Sequence, residues 1–238
     1  MPKKILLRKT SLVDYPGKVS SVFFISGCNL RCPWCHNPEL LSETGENYLN
    51  PEECLAHIYK RRGIIDALVL SGGEPCFWDE LPSFIIEIKK TNPKILIKLD
   101  TNGMFPGMLE KLFSCENTRP GYIAMDLKMA PERYKEIIPS LTVIPDPAKT
   151  LKNSIFLIRE SKIEHEFRSL ALPSGFFTER DIDALSPLVG EAPWYLRPFR
   201  GGNCLDPAWN PLEEPEAIAE NRIKFFEERA GKQKTILF

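Results

Sequence analysis

The segment that decides the fold spans residues 19–37 and reads VSSVFFISGCNLRCPWCHN. Its first eight residues are rich in β-branched and aromatic side chains, which indicates a buried strand. The strands predicted in this way lie at residues 19–26, 67–71, 94–100, 122–127, 165–172 and 194–198. Apolar residues with helical spacing occupy residues 51–62, 81–90, 107–115, 149–160, 178–188 and 215–229. Because strands and helices alternate, we expect parallel strands joined by right-handed crossovers.

The number of predicted strands limits the fold class. Six strands are too few for a closed eight-stranded barrel, so the sequence predicts an α/β fold with an open, partial (β/α)6 TIM-like barrel and a lateral cleft. No repeat or flexible linker interrupts the chain, which favours a single domain over residues 1–238. Its core is expected at about 15–200, followed by a C-terminal helical extension at about 211–238. Thr178, with Asp181 three residues on, resembles a capping box at the start of the fifth helix.

The composition excludes several functional classes. With 31 Lys and Arg against 32 Asp and Glu, the chain has no overall positive field that would attract nucleic acid. Its apolar stretches fall short of the roughly 20 residues that a membrane-spanning helix needs. The first residues lack the apolar region and the cleavage site of a signal peptide. We therefore expect a cytoplasmic protein that binds neither nucleic acid nor a membrane.

Three of the seven cysteines lie within eight residues, at Cys28, Cys32 and Cys35. In a reducing compartment this clustering favours metal or redox chemistry over disulfides. Structural zinc would need further Cys or His ligands at a matching spacing, and a thioredoxin-like motif would leave Cys28 without a role. An iron–sulfur cluster uses all three thiolates and leaves one iron open to a substrate. Zinc and purely structural or redox cysteines stay as less favoured alternatives.

The other four cysteines have separate expectations. Cys54 and Cys115 fall on helical patterns and are expected in the core. Cys76 follows a glycine motif and is expected near the site, whereas Cys204 is expected in a surface loop.

Polar or glycine-rich motifs follow five of the predicted strands. They are SGC at residues 26–28, SGGEP at 71–75, DTNG at 100–103, DLK at 126–128 and RPFR at 197–200. The carboxyl ends of the strands form the active face of α/β folds, so these motifs are expected at the site. Adjacent glycines let a ligand approach the backbone, and Glu74 can bind an ammonium group. Asp100 and Asp126 suit a hard cation or a lysine partner.

Each of these motifs also has an ordinary structural interpretation. The glycines can form a simple turn, and Asp100 can cap one. Lys128 can neutralise Asp126, and Arg168 can be a solvated or ion-paired strand residue.

The run GCNLRCPWCHN at residues 27–37 resembles the signature of radical S-adenosylmethionine (SAM) enzymes, above all the activating enzymes of glycyl radical enzymes. Within these the chain is most similar to the longer form of the activating proteins of anaerobic ribonucleotide reductase, over about residues 9–210. The resemblance implies that Cys28, Cys32 and Cys35 bind one [4Fe-4S] cluster, whose fourth iron SAM chelates. It also implies SAM contacts at Trp34, Asn37, Ser71, Gly72, Gly73, Glu74, Thr101, Asn102, Lys128, Arg168 and Leu170.

The resemblance extends to an ion and to substrate contacts. In pyruvate formate-lyase activating enzyme a monovalent cation site is formed by the residues that match Asp100, Thr101, Met125 and Asp126, which implies sodium or potassium beside the methionine group. This chain departs from its relatives at Arg200, where they carry histidine, and at residues 14–17, where DYPG replaces Asp-Gly-Pro-Gly. Substrate contacts are therefore expected from Asp14, Tyr15 and Arg200. Between Cys35 and Ser71 only one further cysteine occurs, so a single cluster is expected.

The resemblance implies an enzyme. A reduced cluster would pass one electron to SAM, giving methionine and a 5′-deoxyadenosyl radical that takes a hydrogen atom from a glycine Cα of a glycyl radical enzyme, anaerobic ribonucleotide reductase. The electron would come from a one-electron reductant such as flavodoxin or ferredoxin. No side chain is expected to act as acid, base or nucleophile, because the cofactors supply the chemistry. Two alternatives remain: a radical enzyme for a small molecule such as a purine precursor, and a non-catalytic iron–sulfur electron carrier or sensor.

Overall fold

A computed structural model describes residues 3–42, 47–173, 176–210 and 225–228. The strands are β1 (Ile5–Ser11), β2 (Ser20–Ile25), β3 (Tyr48–Leu49), β4 (Ala67–Gly72), β5 (Leu96–Thr101), β6 (Tyr122–Asp126), β7 (Glu164–Ala171) and β8 (Trp194–Pro198). The α-helices are α1 (Glu39–Ser42), α2 (Pro51–Lys60), α3 (Leu81–Thr91), α4 (Pro106–Phe113), α5 (Pro147–Glu160) and α6 (Glu179–Val189). Short 3₁₀-helices lie at Pro75–Phe77, Pro131–Glu136 and Pro207–Trp209.

The structure confirms the six predicted strands and the first five predicted helices, each to within two residues at either end. Only residues 225–228 of the predicted helix at 215–229 are described, and they are helical. The rest of that helix, and most of the expected extension at about 211–238, lies outside the described residues. None of the helices in the described segments is both long enough and apolar enough to cross a membrane.

The strand order in the sheet is β3-β1-β2-β4-β5-β6-β7-β8. The pairs β2–β4, β4–β5 and β7–β8 are parallel, as predicted from the strand-helix alternation. The prediction of six strands was incomplete, because β1 pairs with β2 and β3 in antiparallel fashion at one end of this order. β1 was missed because its side chains do not alternate: three consecutive residues, 8–10, are exposed.

The chain divides into two compact units. The first comprises Met1–Asn29, Glu39–Thr101 and Gly107–Ile123, and the second comprises Leu30–Pro38, Asn102–Pro106 and Ala124–Phe238. The single domain expected over residues 1–238 therefore stays a prediction.

In the first unit, both faces of the strands are covered. On one face Phe23 of β2 stacks on Phe84 of α3, with ring centroids 6.3 Å apart. On the other face the buried ring of Tyr15 packs with Val22, Ala67 and Val69. Because both faces are buried against apolar side chains, these strands consist mainly of apolar residues, which is the pattern that predicted them.

In the second unit, one buried carboxylate joins α6 to the Pro131–Glu136 helix. Asp181 accepts hydrogen bonds from the Ala130 amide at 2.7 Å and from the Arg133 guanidinium at 2.8 Å. The amide and hydroxyl of Thr178 also donate to it, at 2.7 and 2.8 Å, which confirms the predicted capping box. Burying a carboxylate is tolerated because charged and polar donors surround it.

Candidate functional site

The glycine motif after β4 forms backbone hydrogen bonds to the start of the cysteine loop, which comprises residues 26–38 between β2 and α1. The Gly73 amide donates to the Ile25 carbonyl at 2.9 Å, and the Glu74 amide donates to the Gly27 carbonyl at 2.8 Å. A Cβ at Gly73 would collide with the Gly27 carbonyl and lie 3.2 Å from the Cys28 Cβ. The neighbouring Gly72 has a φ of +124°, which side chains rarely adopt. Both glycines are therefore needed to hold Cys28 against this backbone.

Glu74 points into the protein and caps the short helix that follows it. Only 1% of its surface is exposed. Its Oε1 accepts hydrogen bonds from the Thr101 hydroxyl at 2.8 Å and from the Cys76 amide at 2.9 Å. The predicted contact of Glu74 with the SAM ammonium group stays a prediction, but in the structure this carboxylate fixes the position of the glycine motif.

Cys76 lies beside Glu74, near the glycine motif, as expected. Burial, and then the charge of Glu74, raise the pKa of the Cys76 thiol well above its usual value. These surroundings favour the neutral form of the Cys76 thiol.

Asp100, at the end of β5, has a lysine partner. The Lys98 ammonium lies 3.0 Å from Asp100 Oδ1, and it also donates to the Asp14 carbonyl at 2.7 Å. The Asp14 carboxylate pairs with Arg8 at 3.2 Å, and Tyr15 is buried. The expected substrate contacts of Asp14 and Tyr15 stay predictions, with Tyr15 serving as a core residue in the structure.

The second part of the cysteine loop, residues 30–38, is held from two sides by backbone hydrogen bonds. The Cys35 amide donates to the Cys32 carbonyl at 3.0 Å, which closes a turn between these cysteines. The Arg31 amide donates to the Ile137 carbonyl at 2.8 Å. From the segment after β8, the amides of Leu205 and Asp206 donate to the carbonyls of Cys35 and Pro33, both at 2.9 Å. These bonds fix the cysteine backbone without using the thiols.

Two expectations for the other cysteines were wrong. Cys204 is 5% exposed instead of lying on the surface, because its segment folds onto the cysteine loop and its amide donates to Asn210 Oδ1 at 2.6 Å. Burial, and then the nearby Cys35, raise the pKa of its thiol. Cys115 is exposed because α4 ends before it, at Phe113. Cys54 is buried as expected, and burial raises the pKa of its thiol to about 12.

Trp34, in the cysteine loop, belongs to an aromatic cluster. Its ring centroid lies 5.3 Å from that of Trp209 and 6.2 Å from that of Phe176. Phe199 contacts Trp209 edge-on at 5.7 Å, and His36 contacts Phe199 at 5.6 Å. Trp209, whose ring contacts both Trp34 and Phe199, was not predicted from the sequence. The expected position of Trp34 beside an adenine stays a prediction.

Three cationic side chains surround Asp126 at the end of β6. Arg168 Nε lies 3.2 Å from Asp126 Oδ1, and Lys128 Nζ lies 3.4 Å from Oδ2. Desolvation alone would raise the pKa of Asp126, but the charges of Lys128, Arg168 and Arg197 outweigh it and hold this pKa below its usual value. Arg197 Nε is buried and has no hydrogen-bond partner in the part of the chain that the structure describes. Glu166 Oε1 also lies 3.9 Å from Arg168 Nε, so the region holds three cationic and two anionic side chains. With the spare donor of Arg197, this balance suits an anionic group such as a carboxylate.

The remaining residues that were predicted to contact SAM, the ion or the substrate differ in their burial. Met125 is buried, and its thioether packs against the turn at Gly103, where a Cβ would collide with it. The Asn102 side chain is buried and accepts a hydrogen bond from the Met104 amide at 3.0 Å. Arg200 is exposed. Partly buried side chains are found at Asn37, Ser71 and Leu170.

The cysteines of the chain are free thiols. No disulfide joins the seven cysteines, all of which lie in described segments. Among the residues that the structure describes, no three His, Cys, Asp or Glu side chains converge closely enough to hold one metal ion. Iron–sulfur clusters bind cysteine thiolates, and Cys28, Cys32 and Cys35 are free cysteines that can supply this donor type.

Comparisons with known proteins show which family this chain resembles. The family model described as the Radical SAM superfamily matches residues 22–185, which include Cys28, Cys32 and Cys35. A protein provisionally named as a glycyl-radical enzyme activating enzyme, from Methanocaldococcus jannaschii, is 29% identical over 226 residues, or 90% of this chain and 85% of that protein. A 7-carboxy-7-deazaguanine synthase of Aquifex aeolicus is 38% identical over 84 residues, or 35% of this chain and 36% of that protein.

A solved structure shares the fold. The crystal structure of QueE from Escherichia coli matches with a TM-score of 0.55 and 16% identity, covering 100% of this chain and 94% of that chain. Together with the mostly parallel strand order, this similarity confirms the predicted α/β class and its partial TIM-like barrel.

Proposed function

The chain belongs to the radical SAM superfamily, and from this premise we propose that it generates a glycyl radical on a partner enzyme, an anaerobic ribonucleotide reductase. The observation that carries the proposal is the similarity to the Methanocaldococcus jannaschii protein named for glycyl radical activation, because it covers 90% of this chain. Similarity to two 7-carboxy-7-deazaguanine synthases, which act on small molecules, covers less of this chain, 35% and 51%.

We assign the cluster to the three clustered cysteines. Enzymes of this superfamily use a [4Fe-4S] cluster and SAM. When bound, these cofactors supply one electron and a carbon radical that removes a hydrogen atom from the substrate. In this proposal Cys28, Cys32 and Cys35 hold the cluster as thiolates. Cys28 is fixed by the glycine motif, and the other two by the backbone bonds of residues 30–38.

We assign the methionine end of SAM to two groups of residues. Its carboxylate would bind the cationic side chains around Asp126, since Lys128, Arg168 and Arg197 leave positive charge in excess. Its amino group would face the backbone at Gly72 and Gly73, where the absence of side chains permits close approach. Further SAM contacts are assigned to Trp34, Asn37, Ser71, Thr101, Asn102 and Leu170.

We assign the exposed Arg200 to the partner rather than to SAM. Its guanidinium can pair with a peptide carbonyl or carboxylate of a glycine-bearing loop. The reductant would be a flavodoxin or a ferredoxin, which delivers the single electron that each cleavage consumes.

The proposal is tested by electron paramagnetic resonance under anaerobic conditions. The reconstituted, reduced protein is mixed with SAM and the candidate reductase, and a glycyl radical doublet is expected. A reductase whose radical-bearing glycine is replaced by alanine is the matched control and should give no doublet. The Arg200→Ala variant should lose the doublet while it still cleaves SAM without the partner.

A second candidate function is a radical reaction on a small, purine-derived molecule, which the similarity to 7-carboxy-7-deazaguanine synthase favours. In that case no glycyl radical enzyme would give a doublet, and SAM cleavage would instead depend on the small molecule.

A further inference from the structure

Lys98, in the middle of β5, is almost completely buried. Only 4% of its side chain is exposed, although lysine is seldom buried unless it is paired. It lies on a strand of the first unit whose last residues are Asp100 and Thr101, both expected in the cofactor site. Neither the family match nor the sequence motifs give Lys98 a role.

The Lys98 ammonium is held by groups from three parts of the first unit. It forms an ion pair with Asp100 Oδ1 at 3.0 Å, without the geometry of a hydrogen bond, and donates a hydrogen bond to the Asp14 carbonyl at 2.7 Å. It also lies 5.9 Å from the centre of the Tyr122 ring, a distance at which a cation is attracted by the ring face. Asp14 precedes Lys98 by 84 residues, so this contact ties a distant loop to β5.

This arrangement changes the expectation of a sodium or potassium ion. Asp100 was expected to be a ligand of that ion, but its Oδ1 already faces the Lys98 ammonium. A metal ion bound to the same carboxylate would be repelled by the lysine, and burial strengthens that repulsion. Asp126, the other expected carboxylate ligand, independently pairs with Lys128 and Arg168. Each carboxylate thus has a cationic partner within its own unit.

We propose that Lys98 is the resident cation of this site: its ammonium neutralises Asp100 in place of a monovalent metal ion and fixes the loop of Asp14 to that carboxylate. Lys98 acts through Asp100 and is therefore a positioning residue. The inference rests on the proposed function only in placing Asp100 near SAM.

The first test compares salts on the purified protein without partner. Its thermal unfolding midpoint is measured in potassium, sodium and tetramethylammonium chloride at equal ionic strength. A specifically bound ion stabilises the native state, so a metal site would raise the midpoint with potassium or sodium. We expect the unfolding midpoints in the three salts to agree within about 1 °C. A midpoint that is several degrees higher in either metal salt would overturn it.

The second test removes the ammonium. Lys98→Met keeps the length of the side chain but removes the ammonium that faces Asp100, so potassium should now stabilise the variant above tetramethylammonium. The same variant, reconstituted anaerobically, should bind SAM about tenfold more weakly in equilibrium dialysis, with potassium restoring most of the loss. Lys98→Arg should behave like the wild type, with an unfolding midpoint that does not depend on potassium.

Lys94→Met changes an exposed lysine just before β5 and is the matched control. It should change neither the unfolding midpoint nor the affinity for SAM. Potassium that has no effect on Lys98→Met would contradict the proposal.

A double variant covers the case in which Lys98→Met does not fold. Lys98→Met/Asp100→Asn removes both charges and should fold, because it leaves no uncompensated charge buried. It should also be indifferent to potassium. A double variant that is as unstable as Lys98→Met would show that the pairing with Asp100 is not the role of Lys98. These readings need no glycyl radical enzyme, so they stand or fall independently of the proposed activity.

Discussion

The glycine motif after β4 and the cationic region around Asp126 differ in how much of their bonding capacity is used inside the protein. At Gly73 and Glu74 the backbone is fixed by steric limits and by internal hydrogen bonds, and Glu74 Oε1 has two donors inside the protein. The region around Asp126 holds three cations and two carboxylates, those of Asp126 and Glu166, and Arg197 Nε has no hydrogen-bond partner among the described residues. The first region therefore works as a scaffold, whereas the second retains binding capacity for a ligand.

The largest effect is expected at the cysteines proposed as cluster ligands. Cys32→Ala should abolish both the iron–sulfur absorbance and SAM cleavage, since two thiolates cannot replace three. Cys54→Ala changes a buried cysteine of α2 and should spare both. The measurement is absorbance and 5′-deoxyadenosine formation after anaerobic reconstitution. Full iron content and activity in Cys32→Ala would show that the cluster lies elsewhere.

The next effect tests the steric nature of the scaffold. Gly73→Ala should destabilise the protein by about 1–3 kcal/mol, because the new methyl group would collide with the Gly27 carbonyl. Gly107→Ala is the matched control: its Cβ would meet nothing within 4 Å, and alanine favours the helix α4 by up to about 1 kcal/mol. Urea unfolding of the two variants measures both free energies. Equal stabilities would mean that the glycine motif tolerates side chains.

A smaller effect is expected in the cationic region. Arg197→Met should raise the dissociation constant of SAM about tenfold, or about 1.4 kcal/mol, through loss of a charged donor. The fold should stay intact, because no hydrogen bond to Arg197 Nε is broken within the described chain. Arg180→Met, an exposed arginine at the start of α6, provides the control and should leave SAM binding unchanged. Unchanged affinity in Arg197→Met would assign this region to structure rather than to binding.

The smallest effect is the pH dependence of the Asp126 ion pairs. Because the pKa of Asp126 is lowered in the folded protein, its pairing stabilises the fold at neutral pH and is lost as the pH falls through that lowered pKa. Asp126→Asn should therefore cost up to about 1 kcal/mol above about pH 5, since these pairs are partly exposed. The difference from the wild type should shrink below about pH 4. Urea unfolding at several pH values measures it, and a difference that grows in acid would mean that the pKa is raised instead.

Local patterns predicted most of the fold, and they missed what depends on distant contacts. The strands β2 and β4 and their terminal motifs follow from buried runs and glycines that are visible in the sequence. The strand β1 lacks alternation, so only its pairing with β2 reveals it. Cys204 and Trp209 lie in a polar, glycine-rich stretch that looks exposed until it folds onto the cysteine loop.

The roles of two charged residues could likewise not be predicted from local sequence patterns. Lys98 has the sequence position of an ordinary strand lysine, and its partner Asp14 is 84 residues away. Arg197 lies near the end of β8, in a motif in which the sequence drew attention to Arg200 instead. No periodicity or spacing marks either residue, because their importance comes from charges that only the fold brings near them.

The central claim is that the hydrogen atom comes from a glycine of a protein partner. The most direct measurement uses a candidate ribonucleotide reductase that carries glycine deuterated at Cα, with mass spectrometry of the 5′-deoxyadenosine that is formed. We expect one deuterium in each molecule of 5′-deoxyadenosine, in an amount that matches the glycyl radical seen by electron paramagnetic resonance. Unlabelled 5′-deoxyadenosine, together with turnover of a small molecule that transfers its own hydrogen, would contradict it.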